Sequence, residues 1–276
     1  MSIAPFECTF SNEKTLAPEI QLLEIRALDA HDEREPCAWV FVRREEKYTY
    51  RQGTKDVEEA SITVSYQSVA LHAGFRTRTG GTFVASYSRW GNRISLTGLS
   101  PHGRGGIMVA GGLRGMRLGT YLFNAIVGWA KQWPLAVVNS IKLSEVDADP
   151  DNRLRRNRFY EQFGLVFDYT DAQCRGGKSR TMPASDLQQV RTWEQNITVH
   201  AVHEHLGRVL QQNRQLRSDL AARERAIRDL SATANYQASH PIRTALSALW
   251  ALHARWLVPL LVILGFAAEY HWFGRR

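Results

Sequence analysis

The sequence predicts an α/β fold, a mixed sheet flanked by helices, followed by a coiled-coil stalk and an apolar C-terminal helix. Three observations carry that expectation. β-forming segments crowd the stretch from Glu19 to Ser100, strand and helix rhythms alternate from Ile107 to Tyr169, and apolar residues recur at heptad spacing from Val199 to Leu230. With 276 residues, 44% of them hydrophobic, the chain has enough apolar side chains for a packed core.

The first strands are read from "EIQLLEIRAL", "CAWVFVRR", "SITVSYQSVA", "TFVASYSRW" and "RISLTGLS", all rich in branched and aromatic residues. The breaks "RQGTK", "RTRTGG" and "RWGN" carry glycine, and the last two have the composition of hairpin turns. This half is expected to be mostly antiparallel. Downstream, Ile107, Met108 and Val109 read as a short apolar strand, and Leu118, Leu122, Ile126 and Trp129 are spaced for one face of a helix reaching about Lys131. A strand in "VVNSIKLSEV", a helix from about Asn152 to Phe163 and a strand in "LVFDYT" follow. A β-α-β-α-β tail joined to an antiparallel half makes one domain, expected over residues 1–183.

Residues 184–236 read as a helical stalk. With Val199 as an a position, the a and d sites are Val199, Val202, Leu206, Val209, Asn213, Leu216, Leu220, Arg223, Ile227 and Leu230. Most are apolar, and one Asn at an a position can fix register in a parallel dimer. Homo-oligomerisation through residues 199–230 is therefore expected, against the alternative of an amphipathic helix folded back on the domain, since Gly207 and Arg223 interrupt the seam. The C-terminal helix, residues 237–276, contains the apolar run Ala245 to Ala268, 24 residues long. Such a run is about 36 Å as a helix, against a bilayer core of about 30 Å. His253 and Arg255 are costly there, so a membrane-spanning segment, a membrane-surface helix and a helix buried in an oligomer are all open, with membrane contact expected through residues 245–268.

A formal charge of +8 suits an anionic partner, but the 35 Lys and Arg are scattered, which describes a generally basic surface. "RGGKSR", Arg175 to Arg180, has no interleaved aromatic residues, so a nucleic-acid partner is not expected. Cys8, Cys37 and Cys174 are an odd number and form no CxxC pair, so neither a disulfide framework nor a four-thiolate zinc site is signalled. "HAVHEH", His200 to His205, has neither zincin spacing, and no metal is expected. The N-terminus lacks the charge and apolar run of a secretory signal, so secretion is not expected.

The glycine-rich turn "IMVAGGLRGMRLGTYLF" lies between a strand and a helix N-terminus, where unpaired N–H groups and the helix dipole can hold an anion such as a pyrophosphate. In this turn Val109, Gly111, Arg114 and Gly119 stand in the register of V-x-P followed by Arg/Gln-x-x-Gly-x-Gly/Ala, with Gly111 in the proline place and Arg117 in that of the inner glycine. Downstream, Asn152, Phe159, Tyr160, Gly164 and Phe167 approximate N-x-x-A-x-x-L/F-Y-x-x-x-G-F, with one extra residue after the Asn. On these two motifs the region from Glu19 to Tyr169 resembles the GNAT superfamily of N-acetyltransferases.

That resemblance implies an α+β GNAT-like sheet and acetyl-CoA as co-substrate, with an amine acceptor that remains unidentified. It implies that Ile107, Met108 and Val109 offer backbone groups to the pantetheine arm and thioester. It also implies that the amides of Arg114, Gly115, Met116, Arg117, Leu118, Gly119 and Thr120 take the pyrophosphate. Asn152 either bonds the pantetheine arm or caps its helix. Tyr160 is the candidate acid, because a neutral phenol can protonate the leaving thiolate, with a packed core tyrosine as the alternative. Glu145 is the candidate base for the incoming ammonium. The expected location is the cytoplasmic face of a membrane. A loose similarity of the whole architecture to acetyltransferase-like proteins of phage particles adds a virion location and an assembly role as alternatives.

Overall fold

The computed structural model describes residues 12–28, 36–71, 80–98 and 109–273, and it divides into two compact units, Met1–His205 and Leu206–Arg276. In the first unit the strands β1 (Glu13–Thr15), β2 (Glu19–Ile25), β3 (Ala38–Tyr50), β4 (Val57–Leu71), β5 (Gly80–Ser88) and β6 (Arg93–Ser95) precede helix α1 (Leu118–Ala130). Then come β7 (Val137–Val138), β8 (Lys142–Leu143), helix α2 (Pro150–Glu161), β9 (Phe167–Tyr169), β10 (Gly177–Ser179), β11 (Met182–Pro183) and β12 (Ile197–Ala201).

Nine of these strands form one sheet in the order β11-β7-β6-β5-β4-β3-β2-β12, with β1 paired to β3. Every pairing is antiparallel except β6 with β7, where Arg93 faces Val137 and Ile94 faces Val138. The parallel step needs a crossover, and α1 supplies it. Alternation decides which sheet face is covered: Val40 and Val42 of β3 and Ile62 and Val64 of β4 are buried, while Phe41 between them is exposed. Leu118, Leu122, Ile126 and Trp129 of α1 are all fully buried, as their spacing predicts, Phe123 is buried with them, and the helix packs on β4 and β5. Strands β8, β10 and β9 form a separate three-stranded sheet.

Several boundaries differ from the sequence expectation. Of the strand expected over Ile107 to Val109, Ile107 and Met108 lie outside the described residues and Val109 is irregular, as is Ala110; β6 is the strand parallel to β7. The strand expected through "VVNSIKLSEV" is two short strands in different sheets, so Glu145 leaves the strand for a short 3-10 turn, Glu145–Asp147. Helix α2 starts earlier than expected, because Asp149 caps it by accepting the Asn152 N–H at 2.7 Å and Pro150 occupies its first turn.

The domain also extends past residue 183. Ala184, Leu187 and Ile197 are buried in the core, and β12 pairs with β2 along the sheet edge from Ile197 opposite Ile25 to Ala201 opposite Gln21. Val199, expected to begin the heptad seam, is therefore a strand residue. Non-local pairing outcompetes helical periodicity over a segment this short.

Helix α3 (Val202–Ser239) contains the remaining seam, and α4 (Pro241–Phe273) follows, with Pro259 inside it. Among the described residues the seam is uncovered: Leu206, Val209, Leu216, Leu220, Ile227 and Leu230 are all exposed. The expected membrane-spanning segment is not found, since among the described residues no helix is long and apolar enough to cross a membrane. Arg255 divides the apolar run of α4 in the sequence, leaving a short stretch beyond it.

Candidate active site

The candidate site is built around the entry to α1. A short 3-10 turn, Gly111–Leu113, leads into a bend through residues 114–117, where Gly115 has φ +81° and Arg117 has φ 58°. A glycine tolerates this left-handed backbone, whereas for Arg117 it costs about 1–2 kcal/mol. The side chain of Arg117 offsets part of that cost. Its Nη1 donates to the Thr192 carbonyl and to Gln195 Oε1, in the short 3-10 turn Thr192–Gln195 before β12. The guanidinium is thus anchored on the neighbouring turn. No side chain caps the first turn of α1, and no acidic residue lies in it. An uncapped N-terminus of this kind favours an anion.

The remaining residues of the turn have distinct tasks. Arg114 donates from Nε to the Val109 carbonyl at 3.0 Å, closing the loop over residues 109–114. Met116 packs partly into the core. A Cβ on Gly119 would stand 3.3 Å from Val109 Cγ2 and 3.5 Å from Phe159, so a side chain there would crowd the approach of Val109 and α2 to the helix start. Thr120 is buried, and Gln162 Nε2 reaches its hydroxyl at 3.4 Å.

Tyr160 lies on the buried face of α2. Its ring meets Phe159 at 5.0 Å and Phe123 at 6.0 Å, both edge-on, with Phe167 at 5.9 Å. Burial pushes the phenol up to about 12, Arg156 pulling it down and Asp147 pushing it up by smaller amounts. The hydroxyl makes no hydrogen bond among the described residues. Tyr160 is therefore both a packed core residue and a protonated donor at neutral pH.

Glu145 and Asn152 are placed differently from expectation. Glu145 is exposed, on the turn after β8, and its side chain lies against Gly176, where an added Cβ would come within 2.8 Å of Glu145 Cγ. Asn152 does not cap α2: it sits inside the first turn, donating from Nδ2 to the Asp147 carbonyl at 2.8 Å and accepting from Arg155 at 2.8 Å. Its side-chain amide is committed to the local turn.

Two residues that the sequence reading passed over hold the turn in place. Tyr66, buried in β4, accepts the Ala110 N–H on its hydroxyl at 2.9 Å, fixing the backbone next to Val109. Asn196, buried just before β12, donates from Nδ2 to the Met116 carbonyl at 3.1 Å and to the Arg26 carbonyl at 3.2 Å. Neither stands in a recognisable motif, and their partners are 44 and 80 positions away.

The histidines of "HAVHEH" belong to another part of the domain. His200 Nε2 lies 2.9 Å from Glu24 Oε2, and His205 packs on Trp39 at 4.9 Å. Glu24 is held below the usual carboxylate range: burial raises it, and the contacts with His200 and Arg26 outweigh that effect. Among the described residues no group of three or more His, Cys, Asp or Glu could hold a metal ion. No family model, no curated protein and no solved structure matches this chain.

Proposed function

We propose that the Met1–His205 unit is an acetyl-CoA-dependent N-acetyltransferase acting on an amine. The observation that carries this reading is the bend before α1: a left-handed glycine turn, an uncapped helix N-terminus, and a side chain at position 117 drawn onto the Thr192–Gln195 turn. The amides from Arg114 to Thr120 would take the pyrophosphate, with Val109 beside the pantetheine arm. In the reaction the neutral amine attacks the thioester carbonyl, the C–N bond forms and the C–S bond breaks. The departing thiolate takes its proton from Tyr160. Glu145, exposed after β8, can receive the ammonium proton through water.

Calorimetry with acetyl-CoA and an acetylation assay over an amine library, both on Met1–His205, test this reading. Binding with turnover supports the enzyme, and binding without turnover supports a structural module that retains the fold. No detectable binding at millimolar ligand would overturn the transferase reading. Asn196→Ala removes a buried donor from the Met116 carbonyl and is expected to weaken coenzyme binding about five- to tenfold while lowering stability by about 1–2 kcal/mol. Calorimetry and thermal melting of the same variant check the two effects.

The helices support a separate role in self-association. Six exposed apolar residues at heptad positions along α3 call for a covering helix, and a second copy in parallel register, with Asn213 opposite Asn213, provides one. Sedimentation of the full chain is expected to show an oligomer that Leu216→Glu combined with Leu220→Glu converts to a monomer. The exposed Trp250, Trp256 and Phe266 of α4 add apolar surface for contact with an oligomer or a membrane face. Flotation with anionic vesicles separates those two partners for α4.

A further inference from the structure

Three aromatic rings meet where the last strand of the domain turns into α3. His205, in the first turn of that helix, lies 4.9 Å from Trp39 of β3 and 5.0 Å from His200 of β12, measured between ring centroids. Trp39 and His200 are themselves 5.7 Å apart. Ala201 ends the strand and Val202 begins the helix, so these ring contacts hold the first turn of α3 against the sheet.

The two histidines respond to a proton in opposite ways. His200 Nε2 stands 2.9 Å from Glu24 Oε2, so a positive His200 ring gains an ion pair where it lies. His205 lacks such a partner: its Nδ1 is covered by protein and makes no hydrogen bond among the described residues. A neutral imidazole can leave that nitrogen bare. An imidazolium carries a hydrogen on both nitrogens, and a buried N–H without an acceptor is costly. The face of Trp39 attracts a cation, yet it leaves the Nδ1–H unanswered and does nothing for the repulsion from a positive His200 ring 5.0 Å away. The other charges around the ring give no relief. Glu24 is already shared by His200 and Arg26, and His203 and Glu204 on α3 are exposed and face each other at 3.9 Å. Arg208, one turn further along α3, adds a positive charge.

We propose that His205 is a proton-operated catch at the root of α3. Neutral, it pins the first turn of the helix on Trp39 and His200; protonated, it swings out to water and residues 202–205 leave the sheet. Imidazole is the side chain whose charge changes between about pH 5 and 8, so the catch opens on mild acidification. Glu24 remains a carboxylate over that range, since burial raises it and the contacts with His200 and Arg26 outweigh that effect. His200 therefore keeps its partner while His205 lets go. The proposal is independent of the transferase reading and uses none of the residues assigned to it.

The experiment takes the full chain labelled with fluorotryptophan, assigns the Trp39 signal from its loss in Trp39→Phe, and follows that signal by fluorine NMR at pH 8 and pH 5. Three chains are compared: wild type, His205→Phe, which keeps a ring on Trp39 but cannot take a proton, and His205→Ala, which removes the ring. At pH 8 wild type and His205→Phe are expected to give neighbouring Trp39 signals, both displaced from that of His205→Ala. At pH 5 wild type is expected to join His205→Ala, while His205→Phe stays apart from both. Titration of His200 is common to the three chains and drops out of the comparison. A wild-type signal that keeps its distance from His205→Ala at pH 5, or a His205→Phe signal that also joins it, overturns the proposal.

Discussion

Tyr160→Phe is expected to lower kcat by about two orders of magnitude while leaving coenzyme affinity within about twofold of wild type. The substitution keeps the ring and its packing against Phe123, Phe159 and Phe167, and removes only the hydroxyl. A stability change well under 1 kcal/mol is therefore expected, because among the described residues that hydroxyl has no hydrogen-bond partner to lose. The pH dependence adds a second check. Burial raises the phenol to about 12, so the neutral donor persists well above neutral pH, and no alkaline fall in kcat below about pH 11 should originate in Tyr160. The stability linked to keeping the phenol neutral is fully present below about pH 10 and is lost as pH climbs through the folded value of about 12. A thermal-melt series from pH 8 to 12 on wild type and Tyr160→Phe measures it, and identical alkaline limbs would remove Tyr160 from the account.

Cutting the chain at Pro183 instead of His205 is expected to lower Tm by roughly 10 °C or more. The cut deletes two large buried apolar side chains, Leu187 and Ile197, each contributing about 1.5–3 kcal/mol. It also uncovers the edge of β2 and leaves Arg117 and the Met116 carbonyl without Thr192, Gln195 and Asn196. Because these contacts brace the turn before α1, the shorter chain is expected to lose coenzyme affinity as well as stability. Melting curves and calorimetry on chains ending at 183 and at 205 decide the matter, and equal Tm values would show that residues 184–205 add nothing to the fold.

The residues that were readable from sequence are those whose neighbours lie close along the chain. Periodicity placed Leu118, Leu122, Ile126 and Trp129 on the buried face of α1, and the β-forming runs "CAWVFVRR" and "SITVSYQSVA" fall, apart from Cys37, in β3 and β4. The glycine turn was visible because Gly115 needs a positive φ. What escaped depends on distant pairing. The segment "ITVHA" fits a heptad as well as a strand, and only β2, about 170 residues earlier, decides between them. The same holds for Tyr66 and Asn196, whose roles exist only after the sheet has brought them to the turn. Glu145 and Asn152 were misplaced for a local reason: Ser144 and Asp149 are the capping residues of their turns, and each moves its neighbours by a residue or two.

The junction of β12 and α3 has a mechanical meaning. Ala201 ends the strand and Val202 begins the helix, with no residue between them to act as slack. Tension applied to the helix therefore reaches the strand directly. If the pull runs along β12, it loads the antiparallel ladder with β2 in shear, where the rungs share the force instead of opening one at a time. The turn that grips Arg117 and Met116 immediately precedes β12, so the first slip of that strand would loosen the grip before the rest of the sheet yields. A chain tethered by its helical end would thus lose the brace on the turn before α1 at a lower force than its fold.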